Sequence, residues 1–145
     1  MRFGVVAIAG AVAAGIVCGA ALVREARAQA AEPAFSARQT GAGGAAYRAA
    51  CGRCHGDTLV GRASHEEGIE APTLKGPQFQ AKWRGKTAKD LYDLIRDTMP
   101  GDKPGTAPPA TILGAVAAIL QANGRADGGE GPDVAAEDLI RIQLK

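Results

Sequence analysis

Cys51-Gly52-Arg53-Cys54-His55 is the stretch on which the reading of this chain turns. Residues three apart lie on one face of a helical turn, so a helix here sets two thiols side by side. The imidazole of His55 follows directly. Two thiols at this spacing can close a disulfide in an oxidising compartment, but the adjoining histidine points elsewhere. A zinc site takes four ligands; there is no second cysteine pair, and His65 is the only other histidine. A thioredoxin-like redox pair belongs in a βαβ setting, and no strand pattern in this chain competes with its helical ones.

The chemistry that uses all five positions is covalent attachment of haem c. Each thiol forms a thioether to one vinyl group, and His55 reaches the iron. Iron so held needs a second axial ligand. Met1 belongs to the leader described below, which leaves Met99 as the candidate. It ends a helical pattern and precedes Pro100, whose ring limits the freedom of the loop that would present the thioether. His65 is the rival ligand, although it sits in a polar stretch beside Glu66 and Glu67. Methionine and histidine together raise a haem potential relative to two histidines. They also fill both axial positions, which points to an electron carrier and not to an enzyme. Aromatic residues make up only 4% of the chain, and a buried porphyrin would supply the large apolar surface that the small side chains lack.

Work outward and the N-terminus reads as an export segment. Arg2 precedes an uncharged run from Phe3 to Val23, and Ala28-Gln29-Ala30 has the small-x-small form of a cleavage site. Cleavage after Ala30 is expected; the rival is an uncleaved anchor, for which the run is long enough. Either way the remainder lies outside the cytoplasmic membrane, in the periplasm, and Cys18 leaves with the leader. Removing residues 1–30 leaves equal numbers of basic and acidic residues. The remainder has no basic run and little aromatic interleaving, so nucleic acid is not an expected partner. A membrane is one only if residues 3–23 stay attached.

Beyond the leader, residues 31–40 read as a flexible lead-in and 41–145 as one domain with a C-terminal tail. A first helix is expected over 42–53, with Gly43, Tyr47 and Cys51 on one face. Residues 56–71 read as loop, and Pro72, Gly76 and Pro77 make 72–83 largely irregular. A second helix is expected over 88–98, capped by Thr87 with Asp90 three residues on. Its apolar face is Leu91, Leu94 and Ile95. A third is expected over 110–122, with Ile112, Val116, Ile119 and Leu120 inside and Asn123-Gly124 closing it. Residues 134–140 form one or two last turns. The fold class is therefore all-α, three main helices plus short ones around one covalently bound haem.

From Gly41 to Gly124 the chain resembles the class I cytochrome c family. The resemblance rests on Gly43 and Tyr47 ahead of the pentad, Gly56 after it, Pro72-Thr73-Leu74-Lys75-Gly76, Met99-Pro100 and the Ala118-Ile119-Leu120…Asn123-Gly124 ending. It implies a small cytochrome c fold whose first and last helices cross, with Gly43 and Tyr47 at the contact. Ala118 departs from the pattern, standing where an aromatic partner is common. The resemblance further implies that the Pro72 carbonyl accepts the ring N–H of His55, and that Leu74 and Trp83 pack near the haem. More narrowly, Asp97-Thr98-Met99-Pro100 and the ending Leu139-Ile140-Arg141-Ile142 look like cytochromes paired with quinoprotein dehydrogenases. That implies a shuttle passing one electron from a periplasmic dehydrogenase to a terminal oxidase or other acceptor. Two alternatives stay open: a dedicated haem subunit of an oxidoreductase complex, and a haem enzyme or gas sensor in which Met99 is displaced. Lys75, Lys82, Arg84, Lys86 and Lys89 form a basic cluster in sequence, read first as a solvated face.

Overall fold

Residues 32–63, 70–125 and 127–145 are described in the computed structural model of the protein. The expected export segment, and His65, lie outside them. The described residues are mostly helical, in keeping with the all-α expectation. In order they form α1 (Ala37–Ala50), α2 (Gly52–His55), a two-residue pair β1 (Arg62–Ala63) and β2 (Glu70–Ala71), α3 (Pro77–Trp83), α4 (Ala88–Thr98), α5 (Pro109–Ala122) and a 3₁₀ turn (Ala136–Arg141). No helix among the described residues is long and apolar enough to cross a membrane.

Helix α1 begins earlier than its apolar spacing suggests. Ser36 is its N-cap: the Gln39 N–H donates to Ser36 Oγ at 3.1 Å, and the Ser36 N–H donates back to Gln39 Oε1 at 3.3 Å. This reciprocal box satisfies two amides that would otherwise lack partners. Phe35, just before it, is buried. The expectation of a flexible lead-in is therefore corrected from Phe35 onward. Those residues are packed, and a cap with a buried aromatic ahead of it fixes where the helix starts.

Helix α1 lies along α5, and the crossing is set by two glycines. A methyl group on Gly114 would come within 3.2 Å of the Gly43 Cα, and one on Gly43 would collide with the Gly114 carbonyl. The backbones meet directly. Tyr47 packs one turn on, buried with Ala115 and Ala118. The small Ala118 thus goes with a close crossing and not with an unfilled one.

Two expectations for irregular chain are also corrected. Pro77 does not break structure; it occupies the first turn of α3, where its missing N–H has no helical partner to lose. Phe79 and Trp83 then fall one turn apart on a buried face, ring centroids 5.9 Å apart. The loop over 56–71 contains the β1–β2 pair, antiparallel with Arg62 opposite Ala71.

Helix α4 has the expected bounds. Thr87 N–H donates to Asp90 Oδ2 at 2.7 Å, and Asp90 N–H donates to Thr87 Oγ1 at 3.2 Å. Helix α5 is buried around most of its length. Asn123 fixes its end: Nδ2 donates to the Leu74 carbonyl at 2.9 Å and to Ile119 at 2.8 Å, while Oδ1 accepts from Gly76 N–H at 3.0 Å. The tail beyond it is part of the core. Leu139 and Ile142 have no exposed surface, and Val134 and Leu144 are nearly as deep. Each such side chain stabilises the fold by about 1.5–3 kcal/mol.

Candidate cofactor-binding site

The pentad sits where α1 ends and α2 begins. Cys51 N–H donates to the Tyr47 carbonyl at 2.7 Å, and the N–H groups of Cys54 and His55 donate to the Cys51 carbonyl at 3.1 and 3.0 Å. The chain from Tyr47 to His55 is thus close to continuous helix, and the two thiols keep their spacing on one turn. Both cysteines are free thiols, half-buried. Burial, and then the neighbouring Cys54, push the Cys51 thiol above its usual range, so its sulfur keeps its proton at neutral pH.

His55 is 8% exposed. Its Nδ1 lies 3.0 Å from the Pro72 carbonyl oxygen. A carbonyl can only accept, so Nδ1 donates, and in that tautomer the lone pair falls on Nε2. Several contacts hold the Pro72 carbonyl at this place. Leu74 N–H donates to the Leu59 carbonyl at 2.8 Å, and Gly61 N–H to the His55 carbonyl at 2.9 Å. Thr73 Oγ1 donates to the Leu59 carbonyl at 3.1 Å. Gly61 itself has φ +80°, and a methyl group there would lie 2.6 Å from the Ala71 oxygen. Only glycine lets the loop close this tightly.

These residues open onto a cavity of about 330 Å³. All seven residues singled out in the sequence line it: Cys51, Cys54, His55, Pro72, Leu74, Trp83 and Met99. Met99 arrives as the C-cap of α4, its N–H donating to the Ile95 carbonyl at 2.9 Å. Leu91, Leu94 and Ile95, the expected apolar face of that helix, belong to the same wall. Residues separated widely in sequence thus converge on one largely apolar space, within the range of small-molecule and cofactor sites.

Sequence reasoning missed part of the lining. Phe79, Ile112 and Ala115 contribute apolar surface, and Gln78, Lys82 and Thr111 the polar edge. Phe79 had a signal, its one-turn spacing from Trp83, and Ile112 lies on the apolar face expected of the third helix; that they and Ala115 meet at the cavity follows from helix packing that no local pattern encodes. Tyr47 also reaches the cavity, and its hydroxyl donates to the Gly56 carbonyl at 2.9 Å. Burial first, then the neighbouring Cys51 and Asp57, hold that phenol well above its ordinary pKa. The basic cluster is divided. Lys82 stands at the cavity, Lys86 Nζ lies 6.0 Å from the Trp83 ring centroid, and Lys89 pairs with Asp93 at 2.6 Å.

Among the described residues, which leave out His65, no three His, Cys, Asp or Glu side chains converge as a metal-binding group. The donors at the cavity are two thiols, an imidazole and a thioether. They fit haem c: paired thiols on one turn, an imidazole with its outer nitrogen fixed, a thioether and an apolar wall. No buried side-chain nitrogen or oxygen among the described residues lacks a partner. No family model matches the chain, and no curated protein or solved structure matches it.

Proposed function

We propose that the protein is a periplasmic electron carrier of the class I cytochrome c type, in which Cys51 and Cys54 would hold one haem c covalently and His55 and Met99 would bind its iron. The observation that carries this reading is the convergence of both thiols, His55 and Met99 on one largely apolar cavity. When bound, the haem iron supplies one-electron redox chemistry. The protein's residues do the rest. Cys51 and Cys54 would hold the haem through two thioethers, each thiol S–H adding across one vinyl group, so that the cofactor would not be lost after export. The Pro72 carbonyl fixes the imidazole plane of His55 and raises the basicity of its free nitrogen. Met99, as a ligand in place of a second histidine, would favour the reduced state. Leu74, Trp83 and Leu91 exclude water, which lowers the local dielectric. Were His55 and Met99 both to ligate the iron, no open position would remain for a substrate, which suits electron transfer. The partner that fits the resemblance is a quinoprotein dehydrogenase, with a terminal oxidase or similar acceptor downstream, and residues 1–30 serve as the export signal.

The test is the visible spectrum of the export-matured protein, reduced, with and without carbon monoxide, for wild type and Met99→Ala. The expected result is a covalent c-type spectrum that ignores the gas in wild type and responds to it in the variant. A wild type that binds the gas readily has an open or labile site and overturns the carrier reading.

A further inference from the structure

The two halves of the site hang from different helices. Cys51, and through α2 also Cys54 and His55, sit at the C-terminal end of α1; Met99 sits at the C-terminal end of α4. Helices α1 and α4 are not principal packing partners of one another; each packs on α5. Their N-terminal ends share one further connection, the C-terminal tail.

At its start the tail is bonded to the beginning of α1. Ser36 Oγ donates to Asp133 Oδ1 at 2.6 Å, and Arg38 pairs with the same carboxylate. Gln39 exchanges two bonds with Val134, Nε2 to the carbonyl and N–H to Oε1, both 2.8 Å. At its far end the tail is bonded to the lead-in of α4. Ala88 N–H donates to the Ile142 carbonyl at 2.8 Å, Leu144 N–H to the Lys86 carbonyl at 2.8 Å, and Thr87 bridges Gln143 in antiparallel fashion. Between these anchors the 3₁₀ turn packs on α4, with Leu139 and Ile142 fully buried.

We propose that residues 133–145 act as a strap that sets α4 relative to α1 and so keeps Met99 at the cavity, with Ile142 as the positioning residue. No residue of the strap lines the cavity. The strap acts through the helix whose last turn presents the thioether. The inference rests on the carrier reading above for the role of Met99. It adds that Met99 ligation depends on a segment remote from it in sequence, where His55 is held by its own loop.

The experiment measures carbon monoxide combination with the reduced, full-length exported holoprotein for wild type, Ile142→Ala and Val116→Ala. Val116 is a fully buried α5 residue outside the cavity lining and outside the strap. Rates are compared at matched distance below each protein's unfolding midpoint. Ile142→Ala is expected to raise the rate about tenfold, because part of its packing loss falls on the local opening of α4. Val116→Ala is expected to change it less than about twofold. Equal effects of the two variants, or no effect of Ile142→Ala, overturn the strap. If Ile142→Ala does not accumulate, Ile142→Val is read in its place, with about a twofold rise expected. A protein that carries no covalent haem in any form refutes the carrier reading instead. The strap is then judged by amide hydrogen exchange: Ile142→Ala must speed exchange over Ala88–Met99 more than over Ala37–Ala50, and uniform acceleration overturns it.

Discussion

The histidine side and the methionine side of the cavity are built by opposite means. Around His55, the pentad, the Gly56–Gly61 loop and the Pro72–Leu74 segment are close in sequence and bonded to one another through backbone and ring. Around Met99, the helix simply ends. Gly101–Thr106 are all exposed, and Met99 has one bond back to Ile95 and one from Gly105 N–H at 3.3 Å. The first region is fixed locally and the second from a distance, through α4, α5 and the tail. Local closure costs little chain entropy, whereas remote support is only as firm as the packing between.

The largest effect that could break this contrast is covalent. Cys51→Ser combined with Cys54→Ser is expected to abolish covalent haem completely, while Met99→Ala retains it in full. Mass spectrometry of the denatured proteins checks both. Covalent haem on the double variant would remove the pentad from its place in the comparison. Next comes Gly61→Ala, which should destabilise the fold by about 1–3 kcal/mol through overpacking and a strained φ. Denaturant unfolding measures it, and a change below about 0.5 kcal/mol would mean that the histidine loop is less tightly closed than its contacts indicate. On the other side, Thr87→Ala removes the cap of α4 and should cost about 1 kcal/mol. Faster amide exchange in the first turn of α4, with α1 unchanged, would sharpen the claim that this side opens separately.

The smallest effect is one of pH. The Asp90 carboxyl is held below its ordinary value, by the Thr87 backbone N–H first and the Thr87 hydroxyl second. A depressed folded pKa stabilises above the unfolded value and is lost as pH falls through the folded one. Asp90 is exposed, so the contribution is well under about 1 kcal/mol. Between pH 5 and pH 3, by this linkage, wild type should lose slightly more stability than Asp90→Asn. Identical acid titrations would show that the cap works through Thr87 alone.

How much of this was legible follows the same division. The helical turn of the pentad, the α4 cap and the end of α5 are written in adjacent residues, and the local structure follows their spacing. The start of α1 was also written locally, as Ser36 with Gln39 three positions on, but it lay beyond the apolar spacing used to find the helix. Pro77, after Pro72 and Gly76, reads as a breaker, although a proline in the first turn begins a helix as readily as it ends one. The tail was legible only as its last turns, expected over 134–140 and found as the 3₁₀ turn Ala136–Arg141; its burial was not. Val134, Leu139, Ile142 and Leu144 follow neither a helical nor a strand period, and their burial depends on surfaces assembled from the rest of the chain. The convergence of Met99 with His55 was inferred from the demand for a second ligand; the Phe79, Ile112 and Ala115 walls carried no such demand.

Asn123 has a consequence for what mutation can reach. One side-chain amide meets two carbonyls and one N–H at once, so the position needs a donor and an acceptor on a single short arm. Aspartate keeps the acceptor and loses the donors, leucine keeps the shape and loses both, and glutamine carries the amide one carbon too far. In a saturation library scored for folded protein, residue 123 would tolerate almost no alternative, while its exposed neighbours Gln121 and Ala122 would accept many.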